Sequence, residues 1–184
     1  MPEPSRLPLR VIALSTTLAL AAALGTYVVL SDDDTTATPP AAVELTPEDP
    51  QGAVFTTYDG DTVALSELRG TPLLVNFFAS TCVPCVIEMP ALEAVYQEVA
   101  SQMAFLGLAL QDRPEDALAL VDRTGVTYRT ALDKDASVIT ALGGTALPTT
   151  VLLDADGHVV AVHTGQIDAD ALRALLAAKL GIEA

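Results

Sequence analysis

The chain contains no tryptophan, only four phenylalanines and four tyrosines, and just two cysteines in 184 residues. Without large aromatics, Ala, Leu and Val must fill the core. Two cysteines exclude a multi-bridge disulfide scaffold and a zinc site built from four cysteines. Basic residues are scarce as well: nine Lys and Arg stand against 24 Asp and Glu, a formal net charge of −15. Such a chain lacks the basic face that nucleic-acid phosphates require. Charged residues make up 18% and hydrophobic residues 51%, which excludes disorder of the chain as a whole. No internal repeat is visible. The length suits one domain of about 150 residues plus an appendage.

The appendage is a stretch that lacks charge altogether. Residues 11–30, VIALSTTLALAAALGTYVVL, contain no charged side chain. As a helix they would span about 30 Å, the thickness of a bilayer's hydrocarbon core. Arg6 and Arg10 precede them, and Asp32, Asp33 and Asp34 follow. That asymmetry predicts residues 1–10 as a cytoplasmic flank, 11–30 as a single-pass signal anchor, and the remainder exported. The competing reading is a signal peptide cleaved after Ala21-Ala22-Ala23, which would leave residues 24–30 as a loose apolar end. No cysteine lies near the end of the segment, which excludes lipid attachment to cysteine. Residues 31–50 are rich in Pro, Thr and acids and read as a solvated tether. One acid and two bases precede Ser31, so the exported part holds 23 acids and 7 bases.

Beyond the tether the pattern alternates. Residues 53–64, with Tyr58-Asp59-Gly60-Asp61 at their centre, give a hairpin signal. Residues 66–70 read as a helical turn stopped by Gly70. Residues 73–79 (LLVNFFA) read as an unbroken apolar central strand. From Cys85 the period becomes helical, with Met89, Leu92, Val95 or Tyr96, and Val99 on one face. Pro90 is expected to kink that helix. Strands follow at 104–110, 126–132, 149–153 and 159–163, and helices at 114–124, 135–142 and 168–180. Asp154-Ala155-Asp156-Gly157 makes the last hairpin turn. The order predicts an α/β fold, with parallel early strands and an antiparallel closing hairpin.

Both cysteines lie at the junction of the first buried strand and the first long helix, as Cys82-Val83-Pro84-Cys85. A thiol at a helix N-terminus meets unpaired N–H groups and the positive end of the dipole, which favour thiolate. The spacing lets the second sulfur close a small ring on the first, reversibly. Cys82, nearer the helix start, is expected to attack a partner, and Cys85 to resolve the mixed disulfide. A purely structural bridge would close too small a loop to remove much chain entropy. A zinc site would need His158 and His163, which at this spacing on a strand point to opposite faces.

Three stretches bear a family resemblance: FTTYDGDTVALSELRGTPLLVNFFAS, CVPCVIEMPALEAVY and ALPTTVLLDADGHVV. Together they make residues 53–180 resemble the TlpA/ResA/DsbE-like family of exported thiol–disulfide oxidoreductases. The resemblance implies a thioredoxin-like domain over 51–184, with a central mixed β-sheet flanked by helices and an added N-terminal β-hairpin. It implies no cofactor beyond a redox-active Cys82–Cys85 disulfide, and no metal. It aligns Pro148 with a cis-proline facing the CxxC, so that Leu147 and Pro148 would bind substrate. It aligns Glu88 with an acid that assists proton transfer; the residues alone allow equally a solvent-facing acid in the helix's first turn. A catalytic Glu88 is expected to contribute little to the fold.

The implied partners are protein thiols and disulfides, together with a membrane electron donor or acceptor protein. The implied location is the outer side of a bacterial cell membrane. Reduction of apocytochrome c cysteines and oxidation of secreted proteins both suit such a protein. A copper-handling protein of related fold is a further alternative, although such proteins usually separate their cysteines by three residues. A peroxidatic enzyme would place Thr where this chain has Ala79. One departure from the family stands out: Ser80-Thr81 precede Cys82 where tryptophan is usual, which removes an apolar surface beside the thiol.

Cell fractionation tests the anchor. The mature chain is expected in the membrane fraction, with residues 51–184 open to protease from outside. A soluble exported form starting near residue 24 would sink that reading.

Overall fold

A computed structural model of the protein describes residues 50–183. The expected flank and anchor, and the tether up to residue 49, lie outside the described residues. Among the described residues no helix is long and apolar enough to cross a membrane.

Seven strands form one mixed sheet. They are β1 (Val54–Thr56), β2 (Thr62–Ala64), β3 (Leu73–Phe78), β4 (Ala104–Leu110), β5 (Arg129–Asp133), β6 (Thr149–Leu153) and β7 (Val159–Thr164). Their spatial order is β2-β1-β5-β4-β3-β6-β7. β3 is buried along its whole length, between parallel β4 and antiparallel β6. Coverage on both faces is why its side chains do not alternate apolar and polar. β4 and β5 are parallel, β6 and β7 antiparallel. β1 pairs antiparallel with β2 and meets β5 at Thr56↔Leu132.

The helices are α1 (Val83–Val99), α2 (Pro114–Thr124), α3 (Ser137–Ala141) and α4 (Ala169–Leu180). α1, α2 and α4 cover one face, packing Met89, Leu92, Leu120 and Leu172 against Leu74, Phe78 and Leu152. α3 and a 3-10 turn at Leu65–Leu68 cover the other, against Val75, Phe77, Leu106 and Val151. Pro50 lies by a small cleft with Leu65, Leu73 and Leu153, at the opposite end of the sheet from the β3–α1 junction.

Three elements depart from the sequence expectation. β5 begins at Arg129, not at 126. Val126 and Tyr128 are buried, but under α1: Tyr128 packs its ring against Tyr96 and Phe105 at centroid distances of 5.7 and 5.8 Å. α3 is only five residues long. Acids ahead of it bind its first N–H groups, as Asp133 accepts from those of Val138 and Ile139, and Asp135 from that of Ser137. α1 starts at Val83, earlier than the periodicity suggested, because Pro84 needs no N–H partner in a first turn. It also continues through Pro90 to Val99. The ring costs one in-helix donor without ending the helix.

One row of cross-strand neighbours departs from the apolar pattern. Thr130, Gly107, Asn76, Thr150 and His163 lie in register across β5, β4, β3, β6 and β7. Gly107 leaves room there for its neighbours: a Cβ would lie 3.0 Å from Thr130 Cγ2, 3.1 Å from Phe78 Cε1 and 3.2 Å from Tyr128 Cε2. Gly107→Val is therefore expected to destabilise the fold by about 2–3 kcal/mol through overpacking. Urea unfolding checks this, and an unchanged midpoint would show that the two rings yield easily.

Candidate active site

The site is built at the end of the sheet where β3 runs out. Phe78 is followed by Ala79, Ser80 and Thr81, and the Cys82 N–H donates back to the Ala79 carbonyl at 3.0 Å. Asp112, in the β4–α2 loop, grips this turn. Its carboxylate accepts from the Ser80 N–H at 2.6 Å and the Ser80 hydroxyl at 2.9 Å, and from the Arg113 N–H at 3.0 Å. Beside it Gln111 adopts φ 49°, a left-handed conformation, and its N–H donates to the Asp133 carbonyl at 2.9 Å. Three strand ends are thus joined around the cysteine turn.

Cys82 is the N-cap of α1, and its Sγ accepts from the Cys85 N–H at 3.3 Å. The two sulfurs form a disulfide, with Cα atoms 5.3 Å apart. Cys82 is half-exposed and Cys85 fully buried. Val83 and Ile87, one helical turn apart on the outer face of α1, are 68% and 58% exposed. An apolar surface therefore does flank Cys82, supplied by the helix and not by a preceding aromatic.

Glu88 shares the buried stripe of α1 with Cys85, Met89 and Leu92 and is 1% exposed. The solvent-facing alternative is thereby overturned. Oε1 accepts from Asn76 Nδ2 at 2.7 Å, and Oε2 from the Ile167 N–H at 3.2 Å, just ahead of α4. Burial pushes the carboxyl pKa up to about 7; the hydrogen bonds from Asn76 and Ile167 pull it partway back. The buried phenol of Tyr128 is pushed up by desolvation, then by the negative charges of Glu88 and Glu93. Glu88 is therefore also part of the fold, contrary to expectation, because it joins α1 to β3 and to the chain entering α4.

The Leu147–Pro148 bond is cis. Pro148 is buried and its carbonyl accepts from the Gly165 N–H at 2.9 Å; Leu147 is half-buried. Both precede Thr149, which pairs with Phe77 near the end of β3. Cys82, Cys85, Leu147 and Pro148 therefore gather at one pole of the sheet, with Glu88 one helical turn below the sulfurs. Leu147 and Cys82 pack against the same buried cluster.

The two histidines do not join this group. His158 lies in the β6–β7 turn at the far pole, where Asp154, Asp156 and His158 bring ligand atoms within 4.8 Å of one another. Asp154 Oδ1 is already accepting from the Asp156 and His158 N–H groups, which shapes the turn. His163 stands on β7, half-buried. A Cys–Cys–His–His set does not converge.

Asn76, the Ser80–Asp112 clamp and the Ile167 N–H were not anticipated from the sequence. Asn76 did leave a signal: it is the one polar side chain inside LLVNFF, and a polar group in a strand covered on both faces demands a partner. The other two depend on chain segments distant in sequence and left none.

Fold and site together define a thioredoxin-like dithiol–disulfide centre. Comparison with known proteins agrees. The Redoxin family matches residues 38–176. The thiol-disulfide oxidoreductase ResA of Halalkalibacterium halodurans is 36% identical over 113 residues, covering 61% of this chain and 64% of that protein. The chain thus spans just under two thirds of that relative's length. ResA of Geobacillus thermodenitrificans is 30% identical over 166 residues, covering 90% of this chain and 91% of that protein. Among solved structures, DsbF of MTB, in mixed oxidized and reduced forms, superposes with a TM-score of 0.65 at 26% identity, over 71% of this chain and 96% of that one. A thioredoxin family thiol:disulfide interchange protein of Chlorobium tepidum gives 0.60 at 28% identity, over 70% and 93%. The chain belongs to the Redoxin family, among its TlpA/ResA/DsbE-like thiol–disulfide oxidoreductases.

The raised proton affinity of Glu88 has a consequence for stability. Its folded pKa lies above its unfolded value, so the folded state favours the protonated acid. Stability from this group is fully present below about pH 4.5 and is lost as pH rises through about 7. Glu88→Gln is expected to remove a fall of about 3 kcal/mol across that window. Urea midpoints of wild type and variant at pH 4.5 and 8 check it; parallel pH profiles would contradict the burial of an ionised Glu88.

Proposed function

We propose that the chain is a membrane-tethered, extracytoplasmic reductase of partner disulfides, with apocytochrome c cysteines as its substrate class. The observation that most supports thiol–disulfide exchange, the chemistry common to either direction, is the buried carboxyl of Glu88, one helical turn beneath Cys85, with a proton affinity near neutral pH. The uncharged run at 11–30 and the acidic tether at 31–50 support the location.

In the reduced state the Cys82 thiolate is favoured by the helix N-terminus and the Cys85 N–H. It attacks a partner disulfide, forms a mixed disulfide and releases one partner thiolate. Glu88 takes the proton of the Cys85 thiol. The Cys85 thiolate attacks Cys82 Sγ, the internal disulfide closes, and the second partner thiolate leaves. The pair loses two electrons and the partner gains two; solvent supplies the protons of the released thiols. A membrane dithiol protein returns the electrons, and Glu88 then gives its proton back. Among the described residues no hydrogen bond engages the Leu147 backbone. It is open to pair with an extended partner segment as a sheet edge does.

Equilibration of the full chain with a redox buffer is expected to give a potential near thioredoxin's, about −270 mV. A disulfide-bonded CxxCH peptide should be reduced, and Cys85→Ser should trap it on Cys82. A potential near −120 mV would favour the oxidase reading. Tight copper loading of the reduced chain would favour a binding protein.

A further inference from the structure

Asn76 is fully buried in the middle of β3. Its Nδ2 lies 2.7 Å from Glu88 Oε1 and 3.4 Å from Thr150 Oγ1. Its Oδ1 is buried with no hydrogen-bond partner. A buried amide with one end unpaired weakens a core that a leucine would fill without that penalty. Packing therefore does not account for this residue.

The surroundings of Glu88 narrow the choice. On α1 it shares a face with Cys85, and Cys82 caps the same helix. From the chain ahead of β5 comes the Tyr128 phenol, which feels the Glu88 charge. From the chain ahead of α4 comes the Ile167 N–H, and on β7 His163 stands in register behind Thr150. Two groups hydrogen-bond the carboxyl itself. The Ile167 N–H can only donate, so it favours the ionised form. The Asn76 amide has a donor end and an acceptor end of the same shape, related by a half-turn about a broad torsion.

We propose that Asn76 is a positioning residue that sets the proton state of Glu88, its Nδ2–H holding the carboxylate and its Oδ1, after a half-turn of the amide, receiving the O–H of the acid. The unpaired Oδ1 is then the acceptor for the second state, and Nδ2, turned to where Oδ1 now lies without a partner, becomes the unpaired end. Thr150 follows the turn: its Oγ1 accepts from the amide in one state and its hydroxyl donates to it in the other. No bond to sulfur is made or broken in this step; one proton is taken up at Glu88 and one amide turns. The proposal rests on the reading of Glu88 as the proton acceptor of Cys85, and it specifies what holds that acceptor ready.

The test uses the reduced full-length chain with 13C at the glutamate carboxyls, Glu88 being assigned by the signal lost in Glu88→Gln. Asn76→Leu removes the donor and is expected to move the Glu88 midpoint up by about 1–2 pH units, as for loss of a hydrogen bond to a charged group. Asn76→Asp, close in shape, guards against a folding defect. Two carboxyls sharing one proton should titrate there in two separated steps. An unmoved Glu88 midpoint in Asn76→Leu, or a single unshifted step in Asn76→Asp, would overturn the proposal. The pH profile of alkylation at the cysteine pair is recorded on the same samples. If the Glu88 midpoint moves and the thiol profile does not follow, Asn76 keeps its role and the assignment of Glu88 to the thiol chemistry falls.

Discussion

A carboxyl group held out of water beside a disulfide is the constraint around which this domain is arranged. Glu88 belongs to α1, its amide partner to the central strand, and its backbone donor to the segment ahead of α4. Two opposing effects act on it. Desolvation disfavours the charge, and the two donors favour it; desolvation is the larger, since the proton affinity rises to near neutrality. Were the donors absent, desolvation would hold the proton more tightly still. Were the burial absent, it would be an ordinary surface acid with no proton to exchange at neutral pH. Only the combination gives a buried group beneath Cys85 whose proton affinity lies near neutrality.

The architecture was largely legible because it follows from hydrophobic periodicity and turn chemistry, which are local. Strand β3, the long helix and the closing hairpin could be placed this way. Tyr128 was harder, since an apolar residue in a short run looks the same whether it joins a sheet or fills the space under a helix. The burial of Glu88 was not legible for a related reason. On the helical wheel it adjoins Cys85 and Leu92, yet acids near a helix start are common on exposed faces, and only the polar residue in the opposing strand decides between the two. Asn76 stands inside an otherwise apolar run, and a single polar residue there does not by itself name its partner on α1.

The absence of tryptophan before Cys82 has a structural answer on both sides. The turn is held by Ser80 on Asp112, a short clamp of two hydrogen bonds. The exposed apolar surface is displaced onto α1, at Val83 and Ile87. Rigidity and contact area, which one large aromatic can supply together, are here provided by separate residues. Each can change without the other: the clamp affects where Cys82 sits, the helix surface affects what can lie beside it.

The polarity of the central strand has a geometric consequence. Pro50, where the described chain enters, packs at the Leu73 end of β3, and the cysteine turn leaves from the Phe78 end. Six residues of extended chain separate the two ends by about 20 Å. The described chain therefore enters at one pole of the sheet and presents Cys82 at the other, so that the approach to the reactive sulfur is not shared with the point of entry.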